Sequence, residues 1–276
     1  MITIFTLPKP FTDPHIRTIQ RNALLSWKNL HPDVEVLVMG KDPGIKETTE
    51  EFGLTWIPEV SVNEFGTPLL DSAFSLARQK AKYETIMYVN ADIIFVSDLL
   101  ETLPKLPKND ALTVGRRIDF DITGEINFTD PQWENRLEKE IEEKGSLHSY
   151  AGIDYFIFNK NLLQNLPPFA VGRVGWDNWT VRESRRVNKY TIDATECITA
   201  IHENHGYSGN NTGTQRKTNP EAVRNNSFIK KRGQGFTIED ANWKLVRSGK
   251  RIKLERNWFC SLPFIKRWVK SFLWFQ

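Results

Sequence analysis

Hydrophobic positions along the first hundred residues alternate between two periods. Ile2 to Leu7, Val34 to Met39, Leu54 to Ile57 and Thr85 to Val89 are short apolar runs, the pattern of strands covered on both faces of a sheet. Between them, His15 to Leu30 places apolar residues at Ile16, Ile19, Ala23, Leu24 and Trp27, and Leu69 to Tyr83 places them at Leu70, Phe74, Ala77 and Ala81. Both are helical spacings. Pro68 suits the first turn of the second helix, because its fixed φ is already helical. A short acidic helix over Lys46 to Phe52 stops at Gly53. Strand and helix alternating in units of about 30 residues predict an α/β fold whose parallel strands are joined by right-handed crossovers.

The second half is less regular. Ala111 to Val114, Tyr155 to Phe158 and Cys197 to Ile201 read as strands, and Val174 to Val187 as a helix. Trp133 to Lys144 reads as a charged helix with a solvated face. Asn204 to Asn226 is rich in Gly, Asn, Thr and Ser and lacks hydrophobic periodicity. It reads as a long loop of the kind that forms a lid or is disordered. As a lid it would carry Arg216 and Lys217 over whatever ligand it covers. Near the C-terminus, a helix drawn from Phe264 gathers apolar side chains on one half and Lys266, Arg267 and Lys270 on the other, with Trp274 breaking the arc. Such a basic, Trp-rich amphipathic helix suits a membrane interface, and packing onto its own domain is the equal alternative. The expected organisation is one domain over residues 1–250 and a basic aromatic tail over 251–276.

Composition narrows the function classes. A chain of 276 residues can build one large α/β domain. Its net charge of +3 is too slight to argue for nucleic acid. Cys197 and Cys260 lie far apart, with neither a disulfide framework nor zinc spacing, as in a reduced intracellular protein. No segment approaches the roughly 18 apolar residues of a membrane span, and Met1 to Leu7 enters a strand without a charged leader. The expected location is cytoplasmic, peripheral on the inner face of the membrane if the tail docks.

The chemistry concentrates where the fourth strand leaves the core. In Thr85 to Val96, TIMYVNADIIFV, the polar Asn90 and Asp92 interrupt an apolar run. Ligands bind at the carboxyl ends of strands in open α/β sheets, and a carboxylate there needs a cation, a donor or water. A plain helix cap is the weaker alternative for Asp92. G-x-S-x-G, Walker and G-x-G-x-x-G patterns are absent, which argues against phosphate-loop ATPases and nicotinamide enzymes. His202-Glu203-Asn204-His205 is not H-E-x-x-H, so zinc peptidase chemistry is not expected. Asp92, an imidazole from His202 or His205, and two phosphate oxygens would form a hard octahedral site for Mn²⁺ or Mg²⁺. Such a cation neutralises charge growing on a departing diphosphate. A lone histidine more often bonds backbone in a turn. Two in one segment favour a ligand role for at least one.

Six segments, in order, resemble nucleotide-sugar glycosyltransferases of the GT-A fold, a Rossmann-like single domain on a mixed, mostly parallel sheet. Asn90-Ala91-Asp92 resembles the D-x-D motif, with Asn in place of its first Asp. Thr6-Leu7-Pro8-Lys9 resembles the segment that holds nucleobase and ribose. Gly66-Thr67-Pro68-Leu69-Leu70-Asp71, followed by Arg78, resembles the loop and helix bordering the nucleotide pocket. Ala151-Gly152-Ile153-Asp154-Tyr155 resembles the strand lining the donor-sugar site, and Gly175-Trp176-Asp177-Asn178 the acidic helix start facing donor sugar and acceptor. His202 or His205 resembles the late metal-binding histidine. The likeness covers about residues 1–210. It implies an enzyme that moves a sugar from a nucleotide-diphosphate donor to a hydroxyl of a glycan or lipid-linked acceptor.

The resemblance also assigns expectations to single residues. Asp92 would be the direct metal ligand, while an Asn90 amide can partly hold ribose or metal-bound water. One fewer negative charge at position 90 should weaken metal affinity. Asp177 would take a proton from the acceptor hydroxyl in an inverting enzyme, or hold a sugar hydroxyl in a retaining one, and a helix cap is the plain alternative. Trp176 and Trp179 would stack on a sugar or belong to the core. Arg116 and Arg117 would clamp diphosphate or an acidic acceptor, or form a solvated charged pair. Two other functions compete: a nucleotide-sugar or carbohydrate-binding protein without turnover, suggested by Asn90, and a nucleotidyltransferase. The latter expects a Gly-rich basic loop where this chain has Leu7-Pro8-Lys9-Pro10. The transferase reading requires Asp92 and Asp177 to share one cleft.

Overall fold

The four apolar runs of the first hundred residues lie side by side. In the computed structural model, which describes residues 1–205, 218–230 and 236–258, β1 (Thr3–Thr6), β2 (Glu35–Met39), β3 (Thr55–Ile57) and β4 (Thr85–Val89) are parallel in the order β3-β2-β1-β4. Helices α1 (Pro14–Leu30), α2 (Ile45–Glu51) and α3 (Leu70–Lys80) connect them. Asp13 caps α1 by accepting from the Ile16 N–H at 2.9 Å, and Pro14 opens the first turn.

The chain continues through β5 (Ile93–Phe95), α4 (Asp98–Thr102), β6 (Ala111–Val114), β7 (Ile118–Phe120), α5 (Trp133–Lys144), β8 (Ser146–Leu147) and β9 (Tyr155–Asn159). It then forms α6 (Trp176–Val187), β10 (Tyr190–Asp193), β11 (Ala200–Glu203), α7 (Pro220–Lys230), β12 (Trp243–Ser248) and β13 (Arg251–Arg256). Nine strands make one sheet in the order β13-β12-β10-β6-β9-β4-β1-β2-β3. Only β9 and β13 run antiparallel to their neighbours. The architecture is thus α/β on a mixed, mostly parallel sheet. A smaller sheet, β5-β11-β7-β8, lies apart from it.

Strand periodicity divides the core between the two faces of the large sheet. Met87 and Val89 pack with Ala23, Leu24 and Trp27 of α1, whereas Ile86 and Tyr88 pack with Phe74 of α3 and Trp176 of α6. The second face is aromatic: Phe5 meets Phe74 edge-on at 5.0 Å, and Phe74 stacks on Phe158 at 5.5 Å. A third cluster joins Leu137 and Ile141 of α5 to Ile94, Phe120 and Ile201 of the small sheet. The charged α5 therefore buries an i, i+4 stripe as well as showing a solvated face.

Three expectations change. The strand expected at Cys197 to Ile201 begins at Ala200, so His202 lies inside it. Cys197 and Ile198 instead form a turn on the Ala194 carbonyl and still pack in the core. Part of the expected 204–226 loop is α7, whose period is masked because its buried residues are partly polar. Asn225, fully buried, both donates to and accepts from the Ala170 backbone at 3.1 and 3.0 Å. The large sheet extends to Arg256, beyond the expected boundary at 250. Arg216 and Lys217 and the amphipathic tail helix lie outside the described residues.

Candidate active site

Four segments meet at one end of the large sheet. β1 turns out of the core through Pro8 and Lys9, β4 ends at Val89 just before Asn90, and β6 leads to Arg117; β9, running the other way, is entered from Asp154. Together they border a cleft of about 410 Å³. Of the expected donor residues, Pro8, Lys9, Gly66, Asn90, Ala91 and Asp92 line it, and Thr6, Asp71 and Arg78 do not. Thr6 is fully buried in β1. Asp71 occupies the first turn of α3, and Arg78 reaches the Leu162 and Leu163 carbonyls at 3.5 and 3.3 Å. Their side chains serve the fold away from the cleft wall.

The small sheet brings the acidic turn after β4 to two histidines. In its register His202 is paired with Ile93 on one side and Asp119 on the other, and the Glu203 N–H donates to the Asp92 carbonyl at 3.2 Å. The Asp92 Oδ2 lies 3.0 Å from His205 Nε2 and 3.8 Å from His202 Nε2. One ligand atom from each of the three residues falls within 4.8 Å of the others. Asp92 Oδ1 is buried and accepts no hydrogen bond, an uncommon state for a carboxylate oxygen without a cation to meet it. The donor set therefore fits a divalent cation.

Electrostatics keep Asp92 and His202 in ligand form. Burial pushes the Asp92 carboxyl up, but the His205 hydrogen bond and the charges of His202, His205 and Lys9 together hold it below the usual carboxylate range. Burial pushes the His202 imidazole down, with Asp92 and Asp154 opposing and Arg117 and His205 assisting. Behind His202, its Nδ1 lies 3.2 Å from Asp119 Oδ1, away from good hydrogen-bond alignment. Asp119 also accepts from Arg117 Nε at 2.8 Å and lies 2.6 Å from His148 Nδ1. A carboxylate behind a ligand histidine is the usual means of fixing its ring.

A second hydrogen-bonded group borders the cation group. Asn90 Nδ2 donates to Asp154 Oδ1 at 2.8 Å, Arg117 Nη1 donates to Asp154 Oδ2 at 2.8 Å, and the Tyr88 hydroxyl donates to Asn90 Oδ1 at 3.2 Å. Arg117 is consequently a buried ion-pair partner of Asp154 and Asp119, although it also lines the cleft. That corrects both expectations for it, a free diphosphate clamp and a solvated pair. Arg116 donates to the His148 carbonyl at 2.6 Å and lies over the Tyr150 ring. Gly152 leaves room for His148, since a Cβ there would fall 2.3 Å from that ring.

Asp177 stands at the start of α6, where its Oδ1 accepts from the Asn178 N–H at 2.8 Å. Part of its surface reaches solvent, yet protein crowds the carboxyl. Burial and the charge of Asp154 push it up to about 6. Asp154 also acts electrostatically on Tyr88 and His202, as does Asp92, whereas Asp177 is not among the residues that line the cleft. The two tryptophans are core residues: Trp176 packs on Phe156 and Tyr88 at 4.8 and 5.1 Å, and Trp179 on Phe169 at 5.7 Å. Asn178 donates to the Phe236 carbonyl at 2.6 Å.

Sequence inspection did not single out Tyr88, Asp119, His148 or Arg173. Asp119 had a signal, an acidic residue inside the apolar run Ile118 to Phe120, as at Asp92. Arg173 had none. It lines the cleft and donates to Glu221 of α7 at 2.9 Å, and Glu221 accepts from Asn63 at 2.7 Å. Through this contact α7 steadies the loop carrying Gly66.

No protein-family model and no curated protein matches the chain. Solved structures resemble it. Glucosyl-3-phosphoglycerate synthase from Mycobacterium tuberculosis, solved with Mn²⁺, UDP and phosphoglyceric acid, is 14% identical with a TM-score of 0.48, over 93% of this chain and 86% of that one. The mannosyltransferase PcManGT from Pyrobaculum calidifontis, solved with GDP-Man and Mn²⁺, is 14% identical with a TM-score of 0.48, over 85% of this chain and 65% of that one. The 4-diphosphocytidyl-2C-methyl-D-erythritol synthase from Anaerococcus prevotii is 13% identical with a TM-score of 0.40, over 83% of this chain and 98% of that one. At such scores the likeness fixes neither reaction nor substrate.

Proposed function

We propose that this chain is a glycosyltransferase that moves a sugar from a nucleoside-diphosphate donor to a hydroxyl acceptor, with Mn²⁺ or Mg²⁺ held by Asp92, His202 and His205. One observation carries the proposal: three potential ligands lie within 4.8 Å of one another beside a cleft that is also lined by Lys9 and Arg173. A cation site next to fixed positive charge suits a diphosphate better than a neutral sugar alone. Two imidazole nitrogens favour Mn²⁺ over the oxygen-seeking Mg²⁺. When bound, the cation would neutralise charge on the departing diphosphate.

The chain's own residues supply the rest. Lys9 and Arg173 receive the diphosphate, with Arg173 oriented by Glu221. Gly66 and Thr67, which line the same cleft, border the nucleoside. Asp177, with a pKa near 6, is ionised at neutral pH and takes the proton of the attacking hydroxyl. A hydroxyl of a glycan or lipid-linked acceptor is the receiving group.

The test is release of UDP or GDP from a panel of nucleotide sugars. Mn²⁺ should stimulate release, and both Asp92→Ala and Asp177→Ala should abolish it. A chain that binds nucleotide sugars but releases no diphosphate in any acceptor mixture is instead a binding protein of the same fold.

A further inference from the structure

We propose that residue 90 must be a neutral hydrogen-bond donor because Asp154 already supplies the neighbouring carboxylate, which makes Asn90 a positioning residue for the turn that carries Asp92. The inference deepens the cation-site reading above and rests on it for its metal readout. By spelling, Asn90-Ala91-Asp92 is a D-x-D motif that lacks its first acid. By geometry, the acid is supplied by Asp154 at the entry to β9.

The amide is specified from both ends. Asp154 Oδ1, 2.8 Å from the Asn90 side chain, can only accept, so Nδ2 must face it. The Tyr88 hydroxyl, 3.2 Å from the other end, is kept protonated by burial and by the charges of Asp92 and Asp154, so it donates to Oδ1. The second Asp154 oxygen accepts from Arg117 at 2.8 Å, and the Asn90 N–H donates to the Asp154 carbonyl at 2.9 Å. Asp154 and Tyr88 are almost wholly buried, 7% and 1% exposed, so water reaches them only from the cleft side and replaces a lost partner incompletely. An aspartate at 90 has the same length but no donor. Its carboxylate would face that of Asp154 at hydrogen-bond distance with nothing between them, where burial screens little of the repulsion.

The consequence reaches the cation ligands through the main chain. The Asn90 carbonyl accepts from the Ile93 N–H at 3.3 Å, closing the turn that presents Asp92. Displacing residue 90 displaces that turn. Asn90→Asp, which completes the D-x-D spelling and adds a negative charge, should therefore weaken cation binding. The reciprocal pair Asn90→Asp with Asp154→Asn should restore it, because the amide then donates from the other side and its oxygen still accepts from Arg117.

The experiment measures Mn²⁺ affinity by calorimetry or electron paramagnetic resonance, and the unfolding midpoint without metal, for the full chain and these variants. Asn90→Asp should bind Mn²⁺ at least tenfold more weakly, with its metal-free midpoint lowered by about 3 °C or more. The reciprocal pair should recover most of both. Equal or tighter Mn²⁺ binding by a fully stable Asn90→Asp protein overturns the proposal, as does a reciprocal pair no better than the single variant. If Asn90→Asp does not fold, the reciprocal pair decides: a folded protein supports the inference, and an unfolded one overturns it. Should the unaltered chain bind no Mn²⁺, the cation-site reading fails by itself, while the coupling between the two positions is still read from the metal-free midpoints.

Discussion

Asp177 joins two conditions that a proton acceptor needs. It is within electrostatic reach of the cleft carboxylate Asp154, and its pKa is pushed up to about 6 by burial and by that residue's charge. A base must be ionised, so turnover under saturating donor should climb as pH rises through about 6 and level off above it. Asp177→Asn should remove that climb and lower turnover by roughly a hundredfold or more. A flat wild-type profile between pH 5 and 7 would remove Asp177 from the proton-accepting role. Asp119 illustrates how one carboxylate can serve several groups: Arg117, His148 and His202 all approach it. Charged residues within such a network are more exposed to error from sequence reasoning than isolated ones, because each partner changes what the group is free to do. Arg117 shows this directly, since Asp154 and Asp119 occupy two of its donors.

Among the elements, α6 has the most constrained beginning. Gly175 holds φ at +100°, a left-handed value that favours glycine, and a Cβ there would lie 2.3 Å from Ile229 Cδ1 of α7. Gly175→Ala should therefore cost about 1–2 kcal/mol in urea unfolding. It should also lower turnover, because Asp177 sits in the next turn. An unchanged unfolding midpoint would mean that α7 yields at this contact and does not fix the start of α6. In the small sheet the decisive feature is register. His202 stands opposite Asp119 only because β11 starts at Ala200; a one-residue slip would turn its side chain to the other face.

At the scale of the whole molecule, no helix among the described residues is long and apolar enough to cross a membrane. We propose the basic, aromatic sequence from Trp258 to Gln276 as a membrane-docking segment. Deleting Leu262 to Gln276 should reduce co-sedimentation with anionic liposomes while leaving donor binding intact. Undiminished sedimentation would assign membrane contact, if present, to another surface. The amino-acid order by itself determined the strands and helices of the first hundred residues, because apolar period is a local property, written within ten or so positions. It also marked Asp92, His202 and His205, polar groups placed where apolar runs were expected to end. Only the tertiary structure decided that Asn90 meets Asp154, 64 residues away, and that Asp92 meets His205, 113 residues away. It likewise moved Trp176 and Trp179 into the core and drew α7 from a polar stretch whose Asn225 bonds the Ala170 backbone. Such pairings depend on strand order and register, which are set by burial across the whole sheet and leave no trace in the neighbouring sequence.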